Sequence, residues 1–130
     1  MMNADRQNRL VTLRPMALED ITRVHEIDVL SFSMPWSERS FRFELTENRH
    51  SCVWVAETMQ PDGSPLVIGM IVIWVVLDEA HVATIAIDPD YRGLGMGSVK
   101  AMDPLFQLYL RLKSRLESAK STFVDCLCSL

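Results

Sequence analysis

The sequence predicts a single domain of the α/β (α+β) class over residues 1–130, with a mixed central sheet flanked by helices. Three observations predict it. The length of 130 residues suits one domain. The apolar fraction of 48% is ordinary for a globular protein that buries a core. The apolar pattern follows strand and helix periods in the order strand, helix, helix and three strands, with no internal repeat.

The first part of the chain predicts one strand and two helices. Leu10–Met16 alternates apolar and polar residues and ends at a proline, as a strand would. Apolar residues then recur at helical spacing across Leu18–Leu30, which predicts an amphipathic helix whose apolar stripe, Leu18 included, faces the core. After a break at Phe32–Trp36, Ser37 is the expected N-cap of a second helix, with Glu38 in its first turn.

Three strands are predicted next. Ser51–Glu57, Val67–Leu77 and Ala80–Ile87 are rich in β-branched residues, and turn-forming residues at Gln60–Pro65 separate the first two. Val67–Leu77 is apolar on both faces, which indicates a central strand. Asp78 and Glu79 form the last turn, so we expect these strands to make a mostly antiparallel meander.

Charge and hydropathy exclude several classes of protein. The formal net charge is −4 and Lys and Arg do not cluster, which argues against a nucleic-acid partner. The longest apolar run, residues 66–77, is too short to span a bilayer, and residues 1–10 lack the apolar region of a secretory signal. We therefore expect a cytoplasmic protein with no membrane partner.

The cysteines predict thiols rather than a disulfide framework. Cys52, Cys126 and Cys128 are an odd number in a chain without a visible signal peptide, which is typical of a reducing compartment. Cys126 and Cys128 have no second cysteine pair and the histidines are scattered, so we expect no metal site.

A glycine-rich turn follows the last predicted strand. Asp88–Arg92 leads into glycines at positions 93, 95 and 97, where a helix is expected to begin. Free backbone N–H groups and a helix N-terminus favour a phosphate group, and glycine lets it approach the backbone. The spacing fits neither a P-loop nor a dinucleotide-binding fold. An ordinary turn without a ligand is the alternative interpretation.

The run Arg92-Gly-Leu-Gly-Met-Gly97 resembles the acyl-CoA-binding motif of the GCN5-related N-acetyltransferases (GNAT), and Ile85–Tyr91 is similar to the strand and loop before it. Phe32–Glu38 and Val76–Ala80 are similar to a narrower group, the RimI type, bacterial enzymes that acetylate the N-terminal alanine of a small-subunit ribosomal protein. The resemblance covers residues 10–97, whereas 98–130 diverges.

The resemblance implies transfer of an acetyl group from acetyl-CoA to the N-terminal α-amine of a protein, without a metal. The strand would pair with the pantetheine arm, a backbone N–H at its bulge would polarise the thioester carbonyl, and the glycine turn would hold the pyrophosphate. The implied coenzyme-binding residues are Ile85, Ala86, Ile87, Arg92, Gly93, Leu94, Gly95, Met96, Gly97 and Ser98.

Two residues are candidates for acceptor binding. The Phe32–Trp36 loop lines the acceptor groove in such enzymes, so Trp36 could contact the substrate; an aromatic core residue is the alternative. Glu79 could attract an ammonium group from the end of a strand, although an acidic residue of a hairpin turn is the simpler explanation.

The segment after Gly97 departs from the family pattern. Pro104 interrupts the expected helix, which Asp103 as N-cap could restart. Asp125, within the strand-like run Thr122–Cys128, is the only candidate for the general base, and no proton-donor tyrosine is identified. Two alternatives therefore stay open: a catalytically impaired CoA-binding remnant, or an interaction protein whose glycine turn binds nothing. Missing C-terminal strands would expose a sheet edge through which homodimers could form.

Overall fold

The computed structural model describes residues 11–77 and 79–92, with positions 107 and 110 as helical; for Arg92 it describes the backbone. The elements, in chain order, are strand β1 (Val11–Pro15), a 3-10 turn (Leu18–Asp20), helix α1 (Ile21–Ser31), helix α2 (Glu38–Thr46), strands β2 (Ser51–Met59), β3 (Pro65–Val76) and β4 (Glu79–Ile87), and the one-turn helix α3 (Pro89–Arg92). The predicted order of elements is confirmed.

The four strands form one sheet in the order β1-β2-β3-β4, and all three pairings are antiparallel. β3 lies between β2 and β4, which confirms it as a central strand, and most of its side chains are buried. The predicted sheet with flanking helices is therefore confirmed. The strand predicted at 122–128, which would have made the sheet mixed, lies outside the part of the chain that the structure describes.

Apolar side chains are buried on both faces of this sheet. One cluster packs α1 and α2 against the sheet, and it includes Val24, Ile27 and Phe41, each with no exposed surface. A second cluster occupies the other face, with Ile71 and Ile73 at its centre. Burial on both faces explains the continuous apolar run of β3, because such a strand has no solvent side on which to alternate.

The predicted stripe of the first helix is correct in its middle and wrong at both ends. Leu18 is 48% exposed and Leu30 is 61% exposed, whereas Ile27 is fully buried. Leu18 belongs to a separate 3-10 turn, whose tighter winding does not continue the stripe of α1. In the last turn of α1, Asp28 takes the inward position one helical turn after Val24.

The start of α2 confirms the predicted cap. The Ser37 side chain accepts a hydrogen bond from the Ser40 N–H at 3.1 Å, which satisfies one of the free donors of the first turn. Phe41 then points into the core, with no exposed surface.

Two irregularities interrupt the strand ladder. Between β2 and β3, Ala56 pairs with Gly69 and Glu57 with Val67, so Ile68 is an extra residue on β3. Between β3 and β4, Val72 pairs with Thr84 and Ile73 with Val82, so Ala83 is the extra residue on β4. Such β-bulges turn backbone groups away from their regular directions and are common beside functional sites.

Arg14 joins β1 to β2 and to the 3-10 turn. Its guanidinium donates to Asp20 at 2.7 and 2.9 Å and to Glu57 at 2.8 and 3.1 Å. Burial alone would raise the pKa of Asp20, but the hydrogen bonds from Arg14 and the Ala17 N–H hold that pKa below 3.8. The hydrogen bonds that Arg14 donates to Asp20 and Glu57 in turn raise the pKa of Arg14. The network fixes the entry into α1.

Cys52 is disulfide-bonded, so the prediction that the cysteines are thiols is wrong for this residue. Cys126 and Cys128 lie outside the described residues. Within the described part of the chain, no three His, Cys, Asp or Glu side chains are grouped to hold a metal ion. No helix there is long and apolar enough to cross a membrane.

Candidate active site

β4 forms one side of the candidate site. Among residues 11–77 and 79–92, its only neighbouring strand is β3. The Asp88 N–H donates to the Ile68 carbonyl at 2.7 Å, which makes residues 68 and 88 a hydrogen-bonded pair. Since such pairs alternate along an antiparallel ladder, Ala86 bonds to β3 while Ile85 and Ile87 direct their backbone groups to the outer edge.

The three strand residues predicted to bind the coenzyme therefore do not all direct their backbone groups to the outer edge. Ile85 presents its N–H and C=O at the edge where an extended ligand could pair. Ile87 faces the same edge but already has a further interaction partner. Ala86 faces β3, and its side chain is buried against the helices. The Ala83 bulge lies two residues before Ile85 on the same strand.

Asp88 and α3 lead from β4 toward the glycine turn. The Asp88 carboxylate accepts from the Asp90 N–H at 2.8 Å, and its carbonyl accepts from the Tyr91 N–H at 2.9 Å. Arg92 ends α3. The predicted pyrophosphate-binding residues at 93–98, and Asp125, lie outside the residues that the structure describes, so their roles remain predictions.

The Phe32–Trp36 loop connects α1 to α2 and forms the second side of the candidate site. The buried Asp28 carboxyl accepts a hydrogen bond from the Trp36 N–H at 2.6 Å. Burial raises the pKa of Asp28, against the opposing effects of the Trp36 N–H and of His25. The loop also exposes apolar surface, since Met34 is 88% exposed.

Trp36 lies between two other aromatic rings. Its ring centroid is 5.4 Å from that of Phe41 and 6.4 Å from that of Trp74, which it stacks on at an interplanar angle of 21°. The residue is half-buried, so it is neither a full core residue nor a free surface one. It is one wall of a groove of about 390 Å³, whose lining comprises Trp36, Ser37, Arg39, Ser40, Phe43 and Glu44.

Glu44 is a buried residue in the lining of this groove. Its Oε2 accepts from the Trp74 Nε1–H at 3.1 Å and from the Asn48 Nδ2 at 2.8 Å, and the side chain is almost fully buried. The bond from Trp74 holds its ring beside Trp36, and the bond from Asn48 fixes the Glu44 carboxylate that accepts it, so the groove has a fixed aromatic wall.

Glu79 lies at the start of β4 and is mostly exposed. Its Oε2 is 3.0 Å from the His81 Nε2, two residues along the strand. No other side chain of the described segments bonds to it. The contact of this carboxylate with an acceptor remains a prediction.

The profile of the acetyltransferase (GNAT) family matches residues 21–108. This is more than half of the chain. The chain belongs to the GNAT acetyltransferase family. The predicted resemblance is thereby confirmed, and members of this family use acetyl-CoA.

Individual relatives of this GNAT chain agree with the family profile. It is 44% identical over 85 residues to a Bacillus subtilis protein assigned provisionally as an alanine N-acetyltransferase of ribosomal protein bS18; the match covers 65% of this chain and 53% of that protein. An Escherichia coli enzyme named for the same reaction is 27% identical over 95 residues, covering 66% and 53%. The chain spans about half the length of the curated relatives it matches.

The fold is shared with solved acetyltransferase structures. The crystal structure of the ribosomal-protein-S18-alanine N-acetyltransferase from Escherichia coli aligns with a TM-score of 0.57 and 25% identity, over 77% of this chain and 59% of that one. PaiA N-acetyltransferase from Thermoplasma acidophilum, in complex with coenzyme A, aligns with a TM-score of 0.51 and 12% identity, over 78% and 73%. The second likeness concerns the fold alone.

Sequence reasoning missed several polar residues around this GNAT site. Four residues contact or support the site but were not predicted as site residues: Arg23, Asp28, Glu44 and Asp88. Asp28 left a signal, because a carboxylate falls on the inward face of an amphipathic helix. Arg23 and Glu44 left none, because the partners that connect them to the site, Asp88 and Trp74, lie 65 and 30 residues away in the sequence.

Proposed function

We propose that this chain transfers the acetyl group of acetyl-CoA to the N-terminal α-amine of a protein, with the N-terminal alanine of a ribosomal protein as acceptor. The observation that carries the proposal is the 44% identity to a relative assigned that reaction. The 27% identical enzyme from Escherichia coli supports the same acceptor. The activity, the acceptor and the partner are proposed for the whole protein, because this chain spans about half the length of the relatives for which they are named.

The β4 edge fits the pantetheine arm of the coenzyme. Pantetheine carries amide groups, and an extended amide chain can pair with the exposed edge of a strand. The outward N–H and C=O of Ile85 are spaced for such pairing. The proposed pyrophosphate contacts are the backbone N–H groups from Gly93 to Ser98, with Arg92 beside them. Acetyl-CoA supplies the acetyl group as a thioester.

The bulge at Ala83 provides the proposed donor to the thioester carbonyl. A bulged residue has no partner in the ladder, so its N–H is available to a ligand at the strand edge. A fixed backbone donor aimed at a carbonyl oxygen stabilises the negative charge that develops there during acyl transfer. We place this role on Ala83 rather than on residues 85–87, because the register irregularity falls there.

The groove beside Trp36 is the proposed acceptor site. Its aromatic wall is held by Phe41 and Trp74 and suits an extended peptide with apolar side chains. An N-terminal α-amine has a pKa of about 7.7–8.0, so a modest base frees its lone pair. Asp125 remains the proposed base. Glu79 is proposed to attract the protonated α-amine of the acceptor.

A first experiment separates binding from transfer. Acetyl-CoA should raise the melting temperature of the protein, since a ligand that binds only the folded state stabilises it. Acetyl transfer to a peptide that begins with alanine is then measured by mass spectrometry. Transfer supports the proposal; a melting shift without transfer supports the alternative of a catalytically impaired CoA-binding protein. No shift at any coenzyme concentration refutes both.

Variants test each half of the site. Gly95→Val should abolish the melting shift if the glycine turn holds the pyrophosphate, and Arg42→Met, an exposed residue of α2, is the matched control. Trp36→Leu should raise the KM for the peptide and leave the KM for acetyl-CoA unchanged. Equal effects on both constants would count against an acceptor role for Trp36.

Location and assembly are also proposals. The proposed acceptor is a ribosomal protein, which supports a cytoplasmic enzyme. A homodimer through a sheet edge is tested by sedimentation of the purified chain over a range of concentrations.

A further inference from the structure

Asp88 is the junction at which β4 ends and α3 begins. It is 5% exposed, and every polar group it carries has a partner. Its N–H donates to the Ile68 carbonyl, its Oδ1 accepts from the Asp90 N–H, and its carbonyl accepts from the Tyr91 N–H. One residue therefore fixes both the last rung of the strand and the first turn of the helix.

Arg23 of α1 reaches this junction from the helical layer. Its guanidinium bonds to the Asp88 Oδ2, and its Nε donates to the Val67 carbonyl at 2.9 Å. A weaker contact at 3.4 Å joins it to the exposed Glu26. Within the described ranges, Arg23 is the only cation paired with Asp88. It thereby links α1, β3 and the end of β4.

The bulge at Ile68 explains why two carbonyls are available at this point. In a regular ladder, successive carbonyls point to opposite sides of a strand. The extra residue on β3 puts the carbonyls of Val67 and Ile68 on the same side, toward β4. Ile68 receives the Asp88 N–H and Val67 receives Arg23, so the bulge, the arginine and the junction form one connected unit.

We infer that Arg23 is a positioning residue for coenzyme A, which acts through Asp88 on the β4 edge and on the α3 turn that leads to the glycine motif. The inference rests on the proposed function. Ile85 lies three residues before Asp88, and Arg92 four residues after it, so the junction lies between the proposed contacts to the pantetheine and to the pyrophosphate. A shift of this junction changes the distance between the two.

The loss of the guanidinium would leave two buried groups unsatisfied. Asp88 would remain as a buried carboxylate without a cation, which is strongly unfavourable, and Val67 would lose its donor. The simplest relief is for the Asp88 carboxylate to turn toward water, and this movement breaks the hydrogen bond that it accepts from the Asp90 N–H. The end of β4 and α3 would then no longer be held in one geometry.

The test measures coenzyme binding by isothermal titration with coenzyme A alone. Arg23→Met keeps the aliphatic stem and should raise the Kd about tenfold, which corresponds to a loss of about 1.4 kcal/mol of binding free energy. Arg23→Lys keeps one contact to Asp88 and should give an intermediate Kd. Arg42→Met and Glu26→Gln, which change an exposed arginine and the exposed partner of Arg23, should bind as the unaltered chain does.

A second measurement separates positioning from a general structural role. With acetyl-CoA and an alanine peptide, Arg23→Met should raise the KM for acetyl-CoA about tenfold, while kcat at saturation and the KM for the peptide stay within about twofold. Asp88→Asn should weaken binding similarly, and the double variant should be no weaker than Asp88→Asn alone, because both act through one contact.

The outcomes are distinct. If Arg23→Met lowers the melting temperature but the folded protein binds coenzyme A with unchanged Kd, Arg23 is structural and the inference is wrong. If Arg23→Met does not fold, Arg23→Lys and Asp88→Asn carry the same comparison. If the unaltered chain does not bind coenzyme A, the proposed function fails, and this inference with it.

Discussion

Asp28 is the residue whose titration the structure predicts most sharply. The carboxyl is 1% exposed, accepts the Trp36 N–H through Oδ2, and has no hydrogen-bond partner for Oδ1 in the described part of the chain. Burial raises its pKa above the ordinary 3.8. We therefore expect the Asp28→Asn variant, which cannot ionise, to differ from the parent protein in the pH dependence of its stability.

The sign follows from proton binding. Below pH 3.8 the carboxyl is protonated in both the folded and the unfolded chain. As the pH rises, the unfolded chain ionises first, so the parent protein loses stability until the folded carboxyl ionises as well. Over that window the loss approaches about 1.4 kcal/mol per pH unit. The stability of Asp28→Asn relative to the parent should therefore rise with pH and then level off.

A constant offset does not affect this comparison. The amide that replaces the carboxyl in the Asp28→Asn variant can still accept the Trp36 N–H, but its NH2 group has no evident acceptor and lowers stability by about 1–3 kcal/mol at every pH. Only the slope reports the titration. Urea unfolding followed by tryptophan fluorescence between about pH 2 and 8 gives both free energies.

Asp62 provides a control of opposite sign. Its pKa is lowered by hydrogen bonds from the Ser64 hydroxyl and N–H, so its favourable contribution is present above 3.8 and is lost as the pH falls through the folded pKa. The stability of Asp62→Asn relative to the parent protein should therefore fall as the pH rises, and only in the acid range. If the stability of Asp28→Asn relative to the parent protein does not change with pH, or falls as the pH rises, then burial does not raise the pKa of Asp28.

Three further changes test other parts of the molecule. Ala83→Pro removes the bulge N–H at a position where proline is tolerated, and should lower kcat about 100-fold with little change in the Kd for coenzyme A; an unchanged kcat would exclude this N–H as the carbonyl donor. Phe41→Ala should destabilise the protein by about 3–5 kcal/mol, measured by urea unfolding, because the ring is fully buried and supports Trp36; a loss under about 1 kcal/mol would contradict the packing. Arg14→Met should destabilise by about 1–3 kcal/mol near neutral pH, because the hydrogen bonds to Asp20 and Glu57 are lost. That loss should shrink as the pH falls through the lowered pKa of Asp20, since the favourable pairing exists only above it.

The sequence predicted the elements of this fold well where one periodicity dominates. β3 and the Ser37 cap were predicted from local patterns, because burial on both faces and capping act within a few residues. Leu18 and Leu30 were wrongly assigned to the core, since periodicity shows neither the 3-10 turn that precedes α1 nor the inward position that Asp28 takes in its last turn.

The polar contacts of the site could not be predicted in the same way. The bond from Arg23 to Asp88 spans 65 residues and that from Trp74 to Glu44 spans 30, and neither leaves a local pattern. The position of the β4 bulge depends on the register with β3, which no single strand specifies. The glycine motif, by contrast, was recognisable because its residues are contiguous.

The order of the sheet has a consequence for how the protein forms during translation. Among the strands that the structure describes, each one after β1 pairs with the strand that precedes it in the chain, so these pairings become available as soon as the next strand leaves the ribosome. The widest separation, between β1 and β2, is bridged by α1 and α2, which can form locally beforehand. The four described strands can therefore pair in the order of their synthesis.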